Sequence, residues 1–223
     1  MSHTITYIFR LETGIEHRFE VDFERPPASG NLPDWTLLDT HKCPNCPLPS
    51  TPGARCPAAA DLMAIVERFS QLASIDTVDV RVLREQFEVS KHTDTQTALS
   101  ALMGLILGSS GCPILGRMRP MARTHLPFPT ETEVVYRIAA MQLLACHLAG
   151  KPPTLDGLTD FFADIETLNE AFAKRLKRAI TNDAGINALV VLHSRNMVAS
   201  FSIDETLTEI RGWFAQHPAF TAK

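Results

Sequence analysis

Thr4-Ile5-Thr6-Tyr7-Ile8-Phe9-Arg10-Leu11-Glu12-Thr13-Gly14-Ile15-Glu16-His17-Arg18-Phe19-Glu20-Val21-Asp22-Phe23 decides the fold. Ile5, Tyr7, Phe9 and Leu11 alternate with Thr4, Thr6 and Arg10. After Glu12-Thr13-Gly14 a second alternation sets Ile15, Phe19, Val21 and Phe23 against Glu16, Arg18, Glu20 and Asp22. Period two on both sides of a Gly turn predicts a β-hairpin with one packed and one wet face. Further on, Val78, Val80 and Val82 alternate with Asp79 and Arg81, a third strand. Phe87 and Val89 extend that strand or form a fourth.

The chain then turns helical. Pro57 opens a helix with Ala60, Met63, Ala64, Val66 and Phe69 on its apolar face. Asp94 or Thr95 caps a helix to Leu107 that is apolar nearly all round and so should be buried. Thr130 and Glu133 form a capping box for a helix to about His147, stopped by Gly150 and Lys151-Pro152-Pro153. Thr154 caps the next, which carries Leu158, Phe161, Ile165, Leu168, Phe172 and Leu176 at helical spacing. Two more helices are expected over residues 186–198 and, after a Ser202/Glu205 capping box, 203–216. The fold class is α+β: a small N-terminal antiparallel β layer, hairpin plus one or two strands, with a mostly helical C-terminal region. Residues 1–92 hold the β layer, a Pro-rich cysteine loop and one helix, and residues 93–223 the helices, integrated as one domain.

Between the hairpin and the first helix, residues 25–57 contain eight prolines and two glycines. Regular structure does not survive that density, and so long an irregular stretch in a compact domain needs something to pin it. Cys43, Cys46 and Cys56 lie inside it. Four of the five cysteines precede proline directly: Cys43-Pro44, Cys46-Pro47, Cys56-Pro57 and Cys112-Pro113. The Cys-x-x-Cys of Cys43 and Cys46 can present two thiolates to one ion. Cys56 and Cys112 each sit where a cap residue precedes Pro at the first helical position, and a helix N-terminus there favours thiolate. Four thiolates can hold zinc or a [4Fe–4S] cluster, and both readings stay open. The competing readings are a thiol-disulfide oxidoreductase and cysteines that merely fill space. Cys146, between apolar neighbours on a helix, is read as filler.

Arg117, Arg119, Arg123 and His125 follow Cys112 closely. Read singly, they cap helix ends or sit in solvent. Read together, Arg119, Arg123 and His125 would bind a small anionic ligand or offset the negative charge of the cysteine centre. His125 could also serve as a ligand or be an ordinary buried histidine, and His41 is a loop residue within reach of the cysteines. No Gly-rich phosphate loop, His-Glu-x-x-His or nucleophile elbow is present.

Composition narrows the function. The net charge is -4 and the pI near 6.1, so no nucleic-acid partner is expected. The start lacks the pattern of a secretory signal, and the longest apolar run, residues 98–107, is too short for a bilayer. No membrane association is therefore expected, and a cytoplasmic location is. There, clustered cysteines serve metals or redox chemistry rather than bridges. The partners expected are a small anionic ligand or a protein.

Lys42-Cys43-Pro44-Asn45-Cys46-Pro47-Leu48, the Cys56-Pro57 helix start and Ser110-Gly111-Cys112-Pro113 together resemble an uncharacterised bacterial family, as does the stretch from Arg119-Pro120-Met121-Ala122-Arg123 to His125-Leu126-Pro127-Phe128. The family is a domain of unknown function spanning nearly the whole chain. The resemblance implies a bacterial origin and brings no activity with it. The expected function is a metal-binding protein with a structural or sensory four-cysteine site. The alternatives are an iron–sulfur protein in electron transfer or catalysis, and a thiol-disulfide oxidoreductase.

Overall fold

The computed structural model describes residues 4–69, 72–179, 187–188 and 203–221. Strands β1 (Thr4–Leu11) and β2 (Glu16–Asp22) form the hairpin, closed by a turn in which Gly14 adopts φ 83°. Strand β3 (Thr77–Arg84) pairs with the other side of β1, and β4 (Phe87–Asp94) pairs with β3. The sheet is antiparallel throughout, in the order β2-β1-β3-β4.

Register sets the faces. Tyr7 lies between Phe19 and Val82, and Phe9 between His17 and Val80. Ile5, Tyr7, Phe9, Val21, Val78, Val80 and Val82 are buried on the inner face. The outer face carries the exposed ion pairs Arg18–Glu20 and Arg81–Glu88 and a hydrogen bond between His92 Nδ1 and the Asp79 carboxylate. Ile15, expected on the packed parity, sits in the turn and is exposed. β4 forms a separate fourth strand; its mostly exposed polar side chains suit an edge.

Helix α1 (Pro57–Arg68) has Cys56 at its N-cap and Pro57 in its first turn. Its buried stripe is Ala58, Ala59, Leu62, Ile65 and Val66; Ala64, expected inside, faces out. Helix α2 (Thr95–Ser109) is capped by the Asp94 carboxylate, which accepts from the Thr97 N–H at 2.8 Å. It is buried along almost its whole length. A 3-10 turn (Leu115–Met118) and the short α3 (Arg119–Arg123) follow. Helix α4 (Glu131–Leu148) opens with the Thr130/Glu133 capping box.

Helix α5 (Leu158–Leu176) is capped by Gly157 with φ 82°, not by Thr154. The Thr154 hydroxyl instead accepts from the Asp156 N–H and closes a local turn. The expected helix over residues 186–198 and the Ser202 cap lie outside the described residues. Helix α6 (Ile203–Ile210) passes into a 3-10 turn (Arg211–Phe214), and a last short helix, α7, covers Pro218–Thr221. The inner sheet face, α1, α2 and α5 share one contiguous core. A smaller cluster joins Val135 and Ile138 of α4 to Leu158 and Phe162 of α5, with Ile203 and Leu207 of α6 against it.

Candidate functional site

The Pro-rich segment makes a closed loop with a neck and a tip. At the neck Leu37 bridges Arg55, the Leu38 N–H donates to Ala54 O at 2.7 Å, and the Cys56 N–H donates to Thr36 O at 2.8 Å. Arg55 reinforces it by donating to Pro33 O and the Thr36 hydroxyl. At the tip the Cys46 N–H donates to Cys43 O at 3.0 Å, tightening the Cys-Pro-Asn-Cys turn. That turn docks on α5: Asn45 Nδ2 donates to Asp164 O at 3.0 Å, and Cys43 Sγ lies 3.9 Å from Leu168 O.

Cys43, Cys46, Cys56 and Cys112 line one small, largely enclosed cavity. Leu168, Phe172 and Arg175 of α5 close its other side. The volume is about 20 Å³, room for about one water-sized sphere. Cys43, Cys56 and Cys112 are buried and Cys46 is partly exposed. Gly111 packs the Cys112 turn against the Pro57 ring: a Cβ there would stand 3.3 Å from Pro57 Cβ, tighter than ordinary contact. Among the described residues no group of three or more His, Cys, Asp or Glu side chains stands ready to hold a metal ion. Cys146 lies elsewhere, 3.9 Å from Thr154 O.

Burial dominates the thiols. It pushes the Cys43 thiol up to about 12, with Cys56, Cys46 and Cys112 adding repulsion and Arg175 opposing. Cys56 and Cys112 are also raised, chiefly by burial. The N–H groups of Ala59 and Ala58 beside Cys56 favour thiolate as expected of a helix start; Cys112, expected to cap a helix too, instead precedes a turn leading to the 3-10 segment capped by Ile114, where the Leu115 and Ile114 N–H groups act likewise, and at both cysteines desolvation outweighs them.

Arg175 is the residue that sequence reasoning missed. Its side chain is fully buried, with 1% of its surface exposed. Nη1 donates to Trp35 O at 2.8 Å and to Leu37 O; Nη2 donates to Leu38 O at 2.9 Å. It therefore threads the neck of the loop from α5. Its Nε is buried with no hydrogen-bond partner, and among the described residues no carboxylate pairs with it. The charges that act on it are those of Cys56, Cys43 and Cys46. A fixed buried cation without a counter-ion is costly, and Arg175 offsets part of the penalty that burial places on a thiolate at Cys43 or Cys56.

The basic stretch is spread over three places. Arg119 Nη2 donates to Phe23 O and Ser109 O, the latter at the end of α2. Arg123 stacks over Phe23 at 4.9 Å and stands 3.9 Å from Glu24. Arg117 covers Phe161 at 4.2 Å and reaches Asp164. His125 Nε2 meets the Tyr7 hydroxyl at 2.5 Å. Packed protein surrounds its imidazole and lowers its pKa to about 3, helped by Arg137 and Arg84, although part of the residue's surface stays accessible. His41 occupies a loop position with φ 50° and does not line the cysteine cavity.

No helix among the described residues is long and apolar enough to cross a membrane. A family model described as "Domain of unknown function (DUF6901)" matches residues 5–215. No curated protein and no solved structure matches the chain.

Proposed function

The chain belongs to the family of that domain of unknown function, and we propose that it is a metal-binding protein whose Cys43, Cys46, Cys56 and Cys112 take one zinc-like divalent ion. The role is structural or sensory. One observation carries the reading: thiols from three separate segments line a single cavity that also contains a buried, uncompensated arginine. Four thiolates on a divalent ion leave a dianion, and Arg175 supplies the nearest fixed positive charge. The ion would stabilise the thiolate state that burial alone disfavours. The donor set is all sulfur, which suits zinc or iron–sulfur chemistry. A cavity of about 20 Å³ suits one ion better than a four-iron core.

The neck of the loop is already held by its own backbone bonds and by Arg175. The metal would therefore fasten the tip, residues 43–46, to α1 and to the turn after α2. Loss of the ion would free the tip while the neck stays closed, which is the two-state behaviour a sensor needs.

Metal analysis of protein purified without oxygen tests this. The expected result is colourless protein with about one zinc per chain. Brown protein with iron and sulfide would replace the zinc reading by a cluster. Metal-free protein with a reversible Cys43–Cys46 disulfide would replace both by thiol redox chemistry.

A further inference from the structure

A second cavity lies along the same helix α5, about one helical turn from the first. Its origin is readable in α2. Ser100, Gly104 and Gly108 recur at every fourth position, so small residues fall on one face. The hollow they leave measures about 150 Å³. Its walls are mostly apolar: Leu105 of α2, Met118 and Met121, Phe128, and Phe162 and Ile165 of α5. The hollow opens partly to the surface. A pocket of comparable volume and lining takes a benzene-sized guest.

Polar groups on the wall narrow the ligand. Ser100 is 1% exposed, and its Oγ has no hydrogen-bond partner. The other serines of this region contrast with it: Ser109 Oγ donates to Leu105 O and Ser110 Oγ to Leu107 O. A buried hydroxyl left unpaired is unfavourable and normally has an explanation. The ionisable groups on the wall, His125 and Arg137, are engaged. His125 meets Tyr7, and Arg137 Nη2 donates to Met121 O and Thr124 O at 3.1 and 2.7 Å. Methionine and phenylalanine walls suit an aromatic guest.

We propose that this cavity binds a small, neutral aromatic molecule with one hydroxyl, a phenol-class ligand, whose hydroxyl pairs with Ser100 Oγ. The apolar ring fills the hollow over Gly104, and the serine hydroxyl serves as donor or acceptor as the guest requires. Binding here needs neither the thiols nor a metal.

The test titrates the full chain, as purified, with phenol, toluene and benzoate, followed by backbone amide chemical shifts. Phenol is expected to bind most tightly, toluene more weakly, and benzoate not at all, with shifts at residues 100–108 and 161–169. Ser100→Ala removes the orphan hydroxyl without removing packing. It should weaken phenol roughly 5-fold, the worth of one neutral hydrogen bond, and leave toluene unchanged. Met121→Trp, at a partly exposed wall position, should abolish binding of both. Absence of binding by all three probes overturns the proposal. So does benzoate binding as tightly as phenol, or phenol affinity that ignores Ser100→Ala.

Discussion

Helix α5 separates two cavities of opposite character. One is small, lined by four thiols and Arg175, and turns toward the Pro-rich loop. The other is about seven times larger, 150 against 20 Å³, apolar, and lies against α2. Both contain a buried polar atom without a partner, Arg175 Nε in the first and Ser100 Oγ in the second. The unpaired atoms differ in charge, and so in consequence. A cation that also ties three carbonyls of the loop neck makes the first cavity part of the fold's integrity. An unpaired neutral hydroxyl in a mostly apolar hollow leaves the second free to be altered without endangering the fold.

The largest difference should come from substitutions on the two sides of α5. Arg175→Met removes the donors to Trp35, Leu37 and Leu38 and strands three carbonyls. It is expected to cost about 3–5 kcal/mol in urea denaturation. Ile165→Val in the apolar cavity should cost only about 0.5–1.5 kcal/mol. Equal costs would erase the distinction between a cavity that holds the fold and one that does not.

Glycines sharpen the same contrast. A Cβ at Gly111 would press on Pro57 at 3.3 Å, whereas one at Gly108 would meet Met118 and Ala122 at 3.5 and 3.6 Å. Gly111→Ala should therefore move the Cys112 turn away from Cys56, destabilise by about 1 kcal/mol or more and weaken metal retention. Gly108→Ala should be neutral or stabilising by up to about 1 kcal/mol, because Ala is the better helix residue. Thermal melts with and without chelator separate the two. A larger loss from Gly108→Ala would break the argument.

The last effect vanishes at neutral pH and emerges only on acidification. His125 faces Tyr7, with Arg137 and Arg84 nearby, and its folded pKa is lowered to about 3 from 6.5. Between those values the unfolded chain binds the proton and the folded chain does not. Stability from this group is thus intact above about pH 6.5 and falls as pH drops toward 3, by at most about 1.4 kcal/mol per pH unit. His125→Gln should flatten that slope. An unchanged slope would show that His125 already takes up its proton in the folded protein.

The hairpin was legible because strict alternation flanks a glycine turn, and the sheet's inner face followed from the same parity. β4 was only half legible: as an edge strand it exposes nearly all its side chains, so it carries no buried period. The Thr130/Glu133 box gave the start of α4, whereas α5 begins at Gly157 because Thr154 spends its hydroxyl on the turn before it. The repeated Cys-Pro pattern pointed to four residues that prove to line one cavity. Arg175 escaped notice among Lys174, Lys177 and Arg178, where it reads as the basic last turn of a helix. Its signal was positional: it falls seven residues after Leu168 and three after Phe172, on the apolar stripe. A charge on a buried stripe is worth flagging. The Ser100/Gly104/Gly108 spacing was equally visible, but its meaning depends on what the other helices leave unfilled.

Metal retention in two single-cysteine variants weighs the central idea most directly. With oxygen excluded, Cys112→Ser should lose most of its bound metal, although Cys112 lies 56 residues beyond Cys56 in the chain. Cys146→Ser should keep the full complement. Equal retention by the two would contradict the account.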